Sequence, residues 1–212
     1  MGRYTGPVCR LCRRMGTKLF LKGERCFTPR CAVEKRRSPP GGQTREGASR
    51  RRISEHGMQL REKQKARFIY GLLEAQFQND VEKATRLKGS TGQRLLELLE
   101  RRLDNVVFRL GFAGSRAQAR QLVAHGHLKV NGRPVNIPAL TLKAGDVVSW
   151  QERSTRGNYY KTMIVSLPQR PVPQWLELDK NTVAGKVVAM PAPSDIDTSI
   201  DTRPIVEYYS RR

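Results

Sequence analysis

No stretch of this 212-residue chain approaches the roughly 18 consecutive apolar residues that a membrane-spanning helix needs. The first residues carry no apolar signal region, and Gly6 stands where an N-myristoylation motif wants Ser or Thr. No membrane partner is expected, and the chain is read as cytoplasmic. Neither common Gly-rich phosphate loop is present. Only three histidines occur, His56, His125 and His127, and no nucleophile stands beside a general base in any recognisable pattern. The chain is therefore expected not to be an enzyme. Cysteine is absent after residue 31, and internal repeats are absent throughout.

Acidic residues are also scarce. Asp plus Glu number 19 against 40 Lys plus Arg, a net charge of +21. The excess is uneven: +11 over residues 1–60, +7 over 61–131 and +3 over 132–212. Self-repulsion of this size disfavours a compact state unless a polyanion neutralises it. Nucleic acid is the default partner, because no long amphipathic helix with a bulky apolar face accompanies the basic half.

All four cysteines lie near the start, as Cys9, Cys12, Cys26 and Cys31. Two close pairs bridged by a short loop have the spacing of a tetrahedral thiolate site, with zinc the usual occupant. An iron–sulfur cluster takes the same four ligands. Two disulfides or four unligated thiols are the remaining readings, the first disfavoured in a reducing compartment. Four protein ligands leave no open position, so a metal here is expected to be structural. Arg10, Arg13, Arg14, Arg25 and Arg30 crowd the cysteines and are expected to depress their pKa values. Residues 36–53 read as a linker. Pro39-Pro40-Gly41-Gly42 prevents regular structure and Arg50-Arg51-Arg52 keeps the arm solvated until phosphates meet it.

Helical patterning begins at Ser54, a good N-cap, and runs to about Arg67, with Leu60 inward and Arg61, Lys63, Lys65 and Arg67 on exposed faces. A second helix is expected from Leu73 to Leu87, with Phe77, Val81 and Ala84 as its core stripe. Thr91 caps a long helix that ends at Gly111, with Leu95, Leu96, Leu98, Leu99, Leu103, Val106, Val107 and Leu110 as its apolar residues. Ser115 then caps a short helix with Ala119, Leu122 and Val123 inward. Gly126 ends it, and Leu128-Lys129-Val130 runs into Asn131-Gly132, the strongest short hairpin signal. His125 and His127 face the C-terminus of that helix, where imidazole is favourable.

Arg116 and Arg120 sit four apart at the edge of the short helix, and Lys129 and Arg133 flank the hairpin tip. Two guanidiniums on a rigid helix can hold phosphates bidentately. Because the apolar stripe lies on another face, removing both arginines is expected to leave the fold intact. Asp104 reads as an ion-pair partner among Arg101, Arg102 and Arg109. Thr141 to Trp150, turning at Lys143–Asp146, reads as a second hairpin, Arg153 to Asn158 as a polar loop and Tyr159 to Leu167 as a further strand. Pro168, Pro171 and Pro173 mark a boundary, beyond which the terminal segment packs back on the earlier helices. Trp150 and Trp175 are expected in the core.

These residues resemble the small-ribosomal-subunit protein four family in its bacterial form. The resemblance rests on RLDNVVFRLGFAGSRAQARQLVAHGHLKVNGRPVNIP (residues 102–138), GRYTGPVCRLCRRMGTKLFLKGERC at the start, LREKQKARFIYG (60–71), PQWLELD (173–179) and the terminal IVEYYSRR. The cysteines are similar to those of its zinc-carrying branch. The resemblance implies an α+β fold in three parts. These are a four-cysteine metal knuckle with basic linker over 1–45, a discontinuous helical domain of 46–96 plus 168–212, and an inserted module of two helices and a small antiparallel sheet over 97–167. It implies a structural constituent of the small ribosomal subunit that binds ribosomal RNA as a primary binder, nucleates assembly of the subunit body and influences translational accuracy. It also implies contact with ribosomal protein five and other small-subunit proteins, and a linker near the point where messenger RNA enters. Expected ribosomal RNA contacts are Arg3, Arg13, Arg14, Lys22, Arg61, Lys63, Lys65, Arg67, Arg116, Arg120, Lys129 and Arg133, with Arg50, Arg51 and Arg52 facing messenger RNA. No homo-oligomer is expected. Many relatives read Pro-Pro-Gly-Gln-His-Gly where this chain has Pro39-Pro40-Gly41-Gly42-Gln43-Thr44, so fine linker contacts do not transfer. The rival reading is a free-standing zinc-bearing RNA regulator, which sedimentation with the small subunit would distinguish.

Overall fold

The computed structural model describes residues 4–36, 38–41, 53–167, 171–196 and 199–210. The chain divides into two compact units, Met1–Gly92 with Thr198–Arg212, and Gln93–Asp197.

In the first unit, α1 (Cys9–Met15) ends at Gly16 with φ of +68°. A 3-10 turn follows over Gly23–Phe27, and α2 (Ala32–Lys35) is one turn long. α3 (Glu55–Tyr70) starts where Ser54 accepts a hydrogen bond from the Gly57 amide. It stops at Gly71 with φ of +65°, where Gly71 N–H donates to Phe68 and Leu72 N–H to Arg67. Those crossed bonds satisfy carbonyls that a helix end leaves without partners. α4 (Glu74–Arg86) buries Phe77, Val81 and Ala84 as the spacing predicts. The expected inward Leu60 is only half-buried.

The second unit departs from the expected single long helix. α5 (Thr91–Glu100) and α6 (Leu103–Arg109) are separate, and Arg102 between them is extended at φ −64°, ψ 137°. Thr91 is the first helical residue, not the cap. The break lets the backbone pair sideways. Leu103 N–H donates to Leu140, Asp104 N–H to Pro138, and Leu142 N–H to Arg101. Helix propensity is a weak local preference that such long-range pairing overrides. α7 (Arg116–Ala124) is capped by Ser115, which accepts from the Gln118 amide. At its other end Gly126 N–H donates to Val123 and His127 N–H to Leu122, the same crossed ending as in α3. The chain then enters β1 (Leu128–Val130), turns through Asn131 and Gly132 with φ of +50° and +77°, and returns as β2 (Arg133–Val135). Two consecutive positive φ values match the right-handed twist of the strands.

β3 (Val147–Trp150) pairs with β1, so the predicted second hairpin does not form. Thr141 instead bridges to Arg102. Residues 152–155 form the short helix α8 (Glu152–Thr155), not a loop, and the predicted strand is a helix, α9 (Asn158–Ser166). Its β-branched and aromatic residues suit a strand locally, yet no strand edge receives them. The helix buries Met163, and Tyr159 Oη donates to the Phe112 carbonyl at 2.8 Å. β4 (Leu176–Asp179) and β5 (Ala184–Val187) lie beyond the proline boundary but complete the same antiparallel sheet, ordered β2-β1-β3-β5-β4. The expected break at 168 is therefore not a structural division, and the sheet is five-stranded. Its core includes Leu110, Phe112, Val123, Leu128, Val148, Trp175 and Val187. Trp150 and Trp175 are both buried, as expected. Gly185 allows close approach: a Cβ there would stand 2.3 Å from a Leu110 methyl carbon.

The chain ends in α10 (Arg203–Ser210), which belongs to the first unit and packs along α3. Ile205 and Tyr208 are buried, and Gln59, itself buried, donates to Glu207. The expected return of the terminal segment to the earlier helices is thus met by these last residues.

Candidate nucleic-acid interface

In the second unit the candidate residues are organised by two buried carboxylates. Glu100 and Asp104 lie on α5 and α6 at 0% and 4% exposure. Glu100 takes a bidentate pair from Arg109, at 2.9 and 2.8 Å. Asn105 donates at 2.7 Å to Glu100 Oε2, the oxygen that also accepts from Arg109 Nε, and to the Glu100 carbonyl. The Asn105 side-chain oxygen in turn accepts from Arg116 Nε at 2.7 Å. Arg116 lies 4.0 Å from Glu100 and over the Phe108 ring at 4.7 Å. Asp104 accepts from Arg102 at 3.2 and 3.1 Å and from Arg120 at 3.0 Å. Four guanidiniums thus surround two carboxylates, leaving positive charge in excess.

This corrects the expectation for Arg116 and Arg120. They are not loose charges on a helix edge; their side chains are only 14% and 18% exposed. Their geometry is set by the carboxylates and Asn105 before any ligand arrives, the kind of support a binding side chain needs. Asp104 is an ion-pair partner as expected, but of Arg102 and Arg120, while Arg109 serves Glu100 and Arg101 serves Glu97.

Lys129 on β1 pairs with the exposed Glu152 at 3.4 Å, and Arg133 on edge strand β2 is exposed. Arg153, which the sequence pattern places in a polar loop, is brought beside the α7 ending, where it donates to the Gly126 carbonyl at 3.4 Å. His127 is held at 3.0 Å from Ser154, and burial, with the His125 and Arg153 charges, holds its pKa below the ordinary imidazole value. The one signal for Arg153 in the sequence is its spacing to Arg156 within one short turn.

In the first unit the expected exposed row on α3 is corrected. Lys63 is buried, at 3% exposure. It is paired with Glu74 at 2.5 Å and lies over the Tyr208 and Tyr209 rings at 4.7 and 5.8 Å. It clasps the terminal helix and is not presented to a ligand. Arg67 also pairs with Glu74, at 3.1 Å. Burial of the Glu74 carboxyl opposes ionisation. The hydrogen bonds from Lys63 and Tyr209 and the charges of Lys63 and Arg67 outweigh it, and hold the pKa below its ordinary value. Arg61 donates to the Met15 carbonyl, and Lys65 to Glu62 and the Ser199 carbonyl. Arg13 donates to the Ser38 carbonyl at 3.0 Å, while Arg14 and Lys22 are exposed. Arg3, Arg50, Arg51 and Arg52 lie outside the described residues.

The four thiols are unpaired by disulfides; Cys12, Cys26 and Cys31 are buried and Cys9 half-buried. α1 carries Cys9 and Cys12, the 3-10 turn carries Cys26, and Cys31 precedes α2. Burial pushes the Cys12 thiol up, and Cys26, Cys9 and Cys31 push the same way, against a hydrogen bond from Leu19. The expected depression by the neighbouring arginines is thus reversed at Cys12. The Lys22 amide donates to Cys26 Sγ at 3.4 Å. Among the described residues no group of three or more Cys, His, Asp or Glu side chains is arranged to hold a metal ion.

A basic helix–helix–hairpin module with arginines ordered on buried acids suits a nucleic-acid partner, and comparison with known proteins is specific. Residues 3–100 match the sequence model of the ribosomal protein S4/S9 N-terminal domain, and residues 101–148 match that of the S4 domain. The chain is 56% identical over 211 residues to the small ribosomal subunit protein uS4 of Heliobacterium modesticaldum, covering 100% of both chains. It is 54% identical to uS4 of Geobacter sp. and 53% identical to uS4A of Symbiobacterium thermophilum, each again covering 100% of both. The chain belongs to the uS4 family of small-ribosomal-subunit proteins.

The ion-pair cluster changes what the double substitution Arg116→Ala, Arg120→Ala should do. It strands part of the charge on Glu100 and Asp104, and losing a partner of a buried ion typically costs about 3 kcal/mol. The urea midpoint should fall well below wild type, whereas an unchanged midpoint would show that the cluster contributes no stability.

Proposed function

We propose that this protein is a structural constituent of the small ribosomal subunit that binds its RNA, without catalytic activity. The observation that carries the reading is the ordered excess of guanidiniums around Glu100 and Asp104, in a chain whose family is the ribosomal one. No helix among the described residues is long and apolar enough to cross a membrane, and assembly into ribosomes places the protein in the cytoplasm. Phosphate contacts from Arg116, Arg120, Lys129 and Arg133 position the module, and junction shape supplies specificity. Arg13, Arg14, Lys22, Arg61, Lys65 and Arg67 are proposed to extend the RNA-binding surface in the first unit, and Arg3, outside the described residues, to contact the same RNA. The family resemblance extends the proposal to nucleating assembly of the subunit body, contacting ribosomal protein five and bearing on decoding accuracy.

The test uses the hairpin residues, which stand outside the buried ion-pair cluster. Lys129→Ala with Arg133→Ala should weaken affinity for small-subunit ribosomal RNA at low salt. The same change should flatten the dependence of log affinity on log salt by about 0.7 to 0.9 for each phosphate no longer held. Wild-type affinity with an unchanged slope would remove the hairpin from the interface, and a protein that does not travel with the small subunit in sedimentation would favour a free-standing regulator.

The four cysteines are proposed to hold a structural metal, zinc in preference to an iron–sulfur cluster. The support is the donor type: four thiols unpaired by disulfides, three of them buried, in two close pairs along the sequence, although the described side chains are not arranged to hold an ion. Metal would take the sulfurs as thiolates, against the pKa that burial imposes on Cys12 in its absence, and binding would contribute folding energy to this segment. Elemental analysis of purified protein should find one zinc per chain, and Cys12→Ser should release it and expose residues 1–40 to protease. No stoichiometric zinc or iron would end the proposal.

The arm with Arg50, Arg51 and Arg52 is proposed to face messenger RNA and hold phosphates of a separated strand passively. Reversing all three to Glu should slow translation through structured messages and spare subunit assembly. Failed assembly would assign the arm to ribosomal RNA instead.

A further inference from the structure

Phe20 and Phe27 are exposed in a protein that buries most of its large apolar side chains. Their rings stack at 4.9 Å between centroids with 25° between planes. Even so, Phe27 keeps 74% of its surface exposed and Phe20 39%. Phe20 also has φ of +50°, a conformation that glycine takes readily and a bulky residue rarely. Its neighbours explain the outcome but not the need. Leu19 is buried at 2% exposure and Leu21 is half-buried, while the ring between them is turned outward onto Phe27. Backbone strain that holds an apolar ring in water points to a use for the ring. Lys22, Arg25 and Arg30 are exposed on the same short stretch of chain, against the single exposed acid Glu24.

We propose that the Phe20–Phe27 pair is a stacking platform for an unpaired base of an RNA strand, with Lys22, Arg25 and Arg30 meeting the phosphates that flank it. This rests on the RNA-binding reading above. An aromatic face beside positive charge is the combination that single-stranded nucleic acid takes, since every base has a π-face and every nucleotide a phosphate. A protein partner would be served equally by aliphatic residues and would not need the surrounding cations. Inner-face stacking on Phe20 fixes the Phe27 ring, which leaves its outer face open with little ordering left to lose.

The experiment compares full-length wild type, Phe27→Leu and Phe27→Tyr for binding to naked small-subunit ribosomal RNA across a salt series, with thermal melts as the folding control. Phe27→Leu keeps an apolar side chain and removes the π-face. It should bind about tenfold more weakly, with the salt slope of wild type, because every phosphate remains held. Phe27→Tyr should bind like wild type. A Phe27→Trp reporter gives a second readout that does not depend on affinity. The two native tryptophans are buried and emit at shorter wavelength, so the red-shifted emission, taken against wild type as the background, reports the platform and should be quenched when RNA binds. Wild-type affinity in Phe27→Leu, or an unquenched reporter in a bound complex, overturns the platform. Intact RNA binding by Phe27→Leu with loss of binding to another small-subunit protein would reassign the pair to a protein contact. Wild type that does not bind the RNA at all would remove the functional reading itself, which is a separate result.

Discussion

Burial of Glu100 and Asp104 is the constraint on which the RNA-binding module depends. A carboxylate out of water is costly unless it is paired and hydrogen-bonded, and here the partners come from neighbouring helices. Arg102 and Arg109 lie on or beside α6, Arg116 and Arg120 on α7, and Asn105 ties the two sets together. The same side chains that would hold phosphates are therefore structural members. Basic residues gathered closely enough to attract a polyanion repel one another, and internal acids let them gather without unfolding the module.

The first unit meets its excess charge differently. Glu74 receives Lys63, Arg67 and the Tyr209 hydroxyl, so one carboxylate joins α3, α4 and the returning α10. Lys63 is the clearest case of a cation kept from solvent. Its ammonium lies against two tyrosine rings, an interaction that strengthens when water is excluded. The terminal tyrosines thereby complete a unit whose other residues lie at the opposite end of the chain.

The family assignment and the geometry support each other at different levels. Full-length similarity to uS4 proteins establishes what kind of protein this is. The structure adds which of its basic residues are held rigid, which stand on the hairpin, and which are committed to the fold. Charge counts alone treat Lys63 and Arg133 alike, although one is buried in a clasp and the other stands on an edge strand.

Much of the fold is legible in the order of residues. The caps Ser54 and Ser115, the endings at Gly71 and Gly126, the Asn131-Gly132 turn and the stripe Phe77, Val81, Ala84 all form as their patterns predict, because each depends on hydrogen bonds or spacing within a few residues. The departures share one cause. The break at Arg102, the helix over Asn158–Ser166 and the recruitment of β5 beside β3 depend on partners far along the chain, where local preference is overruled. Thr141 pairs with Arg102 and not across the next turn, and Lys63 is buried against Tyr208 and Tyr209 near the other end of the chain. Helix ends, the hairpin and the preference for a polyanion thus follow from local chemistry and composition. Which charges meet each other, and which remain for a ligand, is settled by folding, because pairing a buried ion requires groups that nothing else brings together.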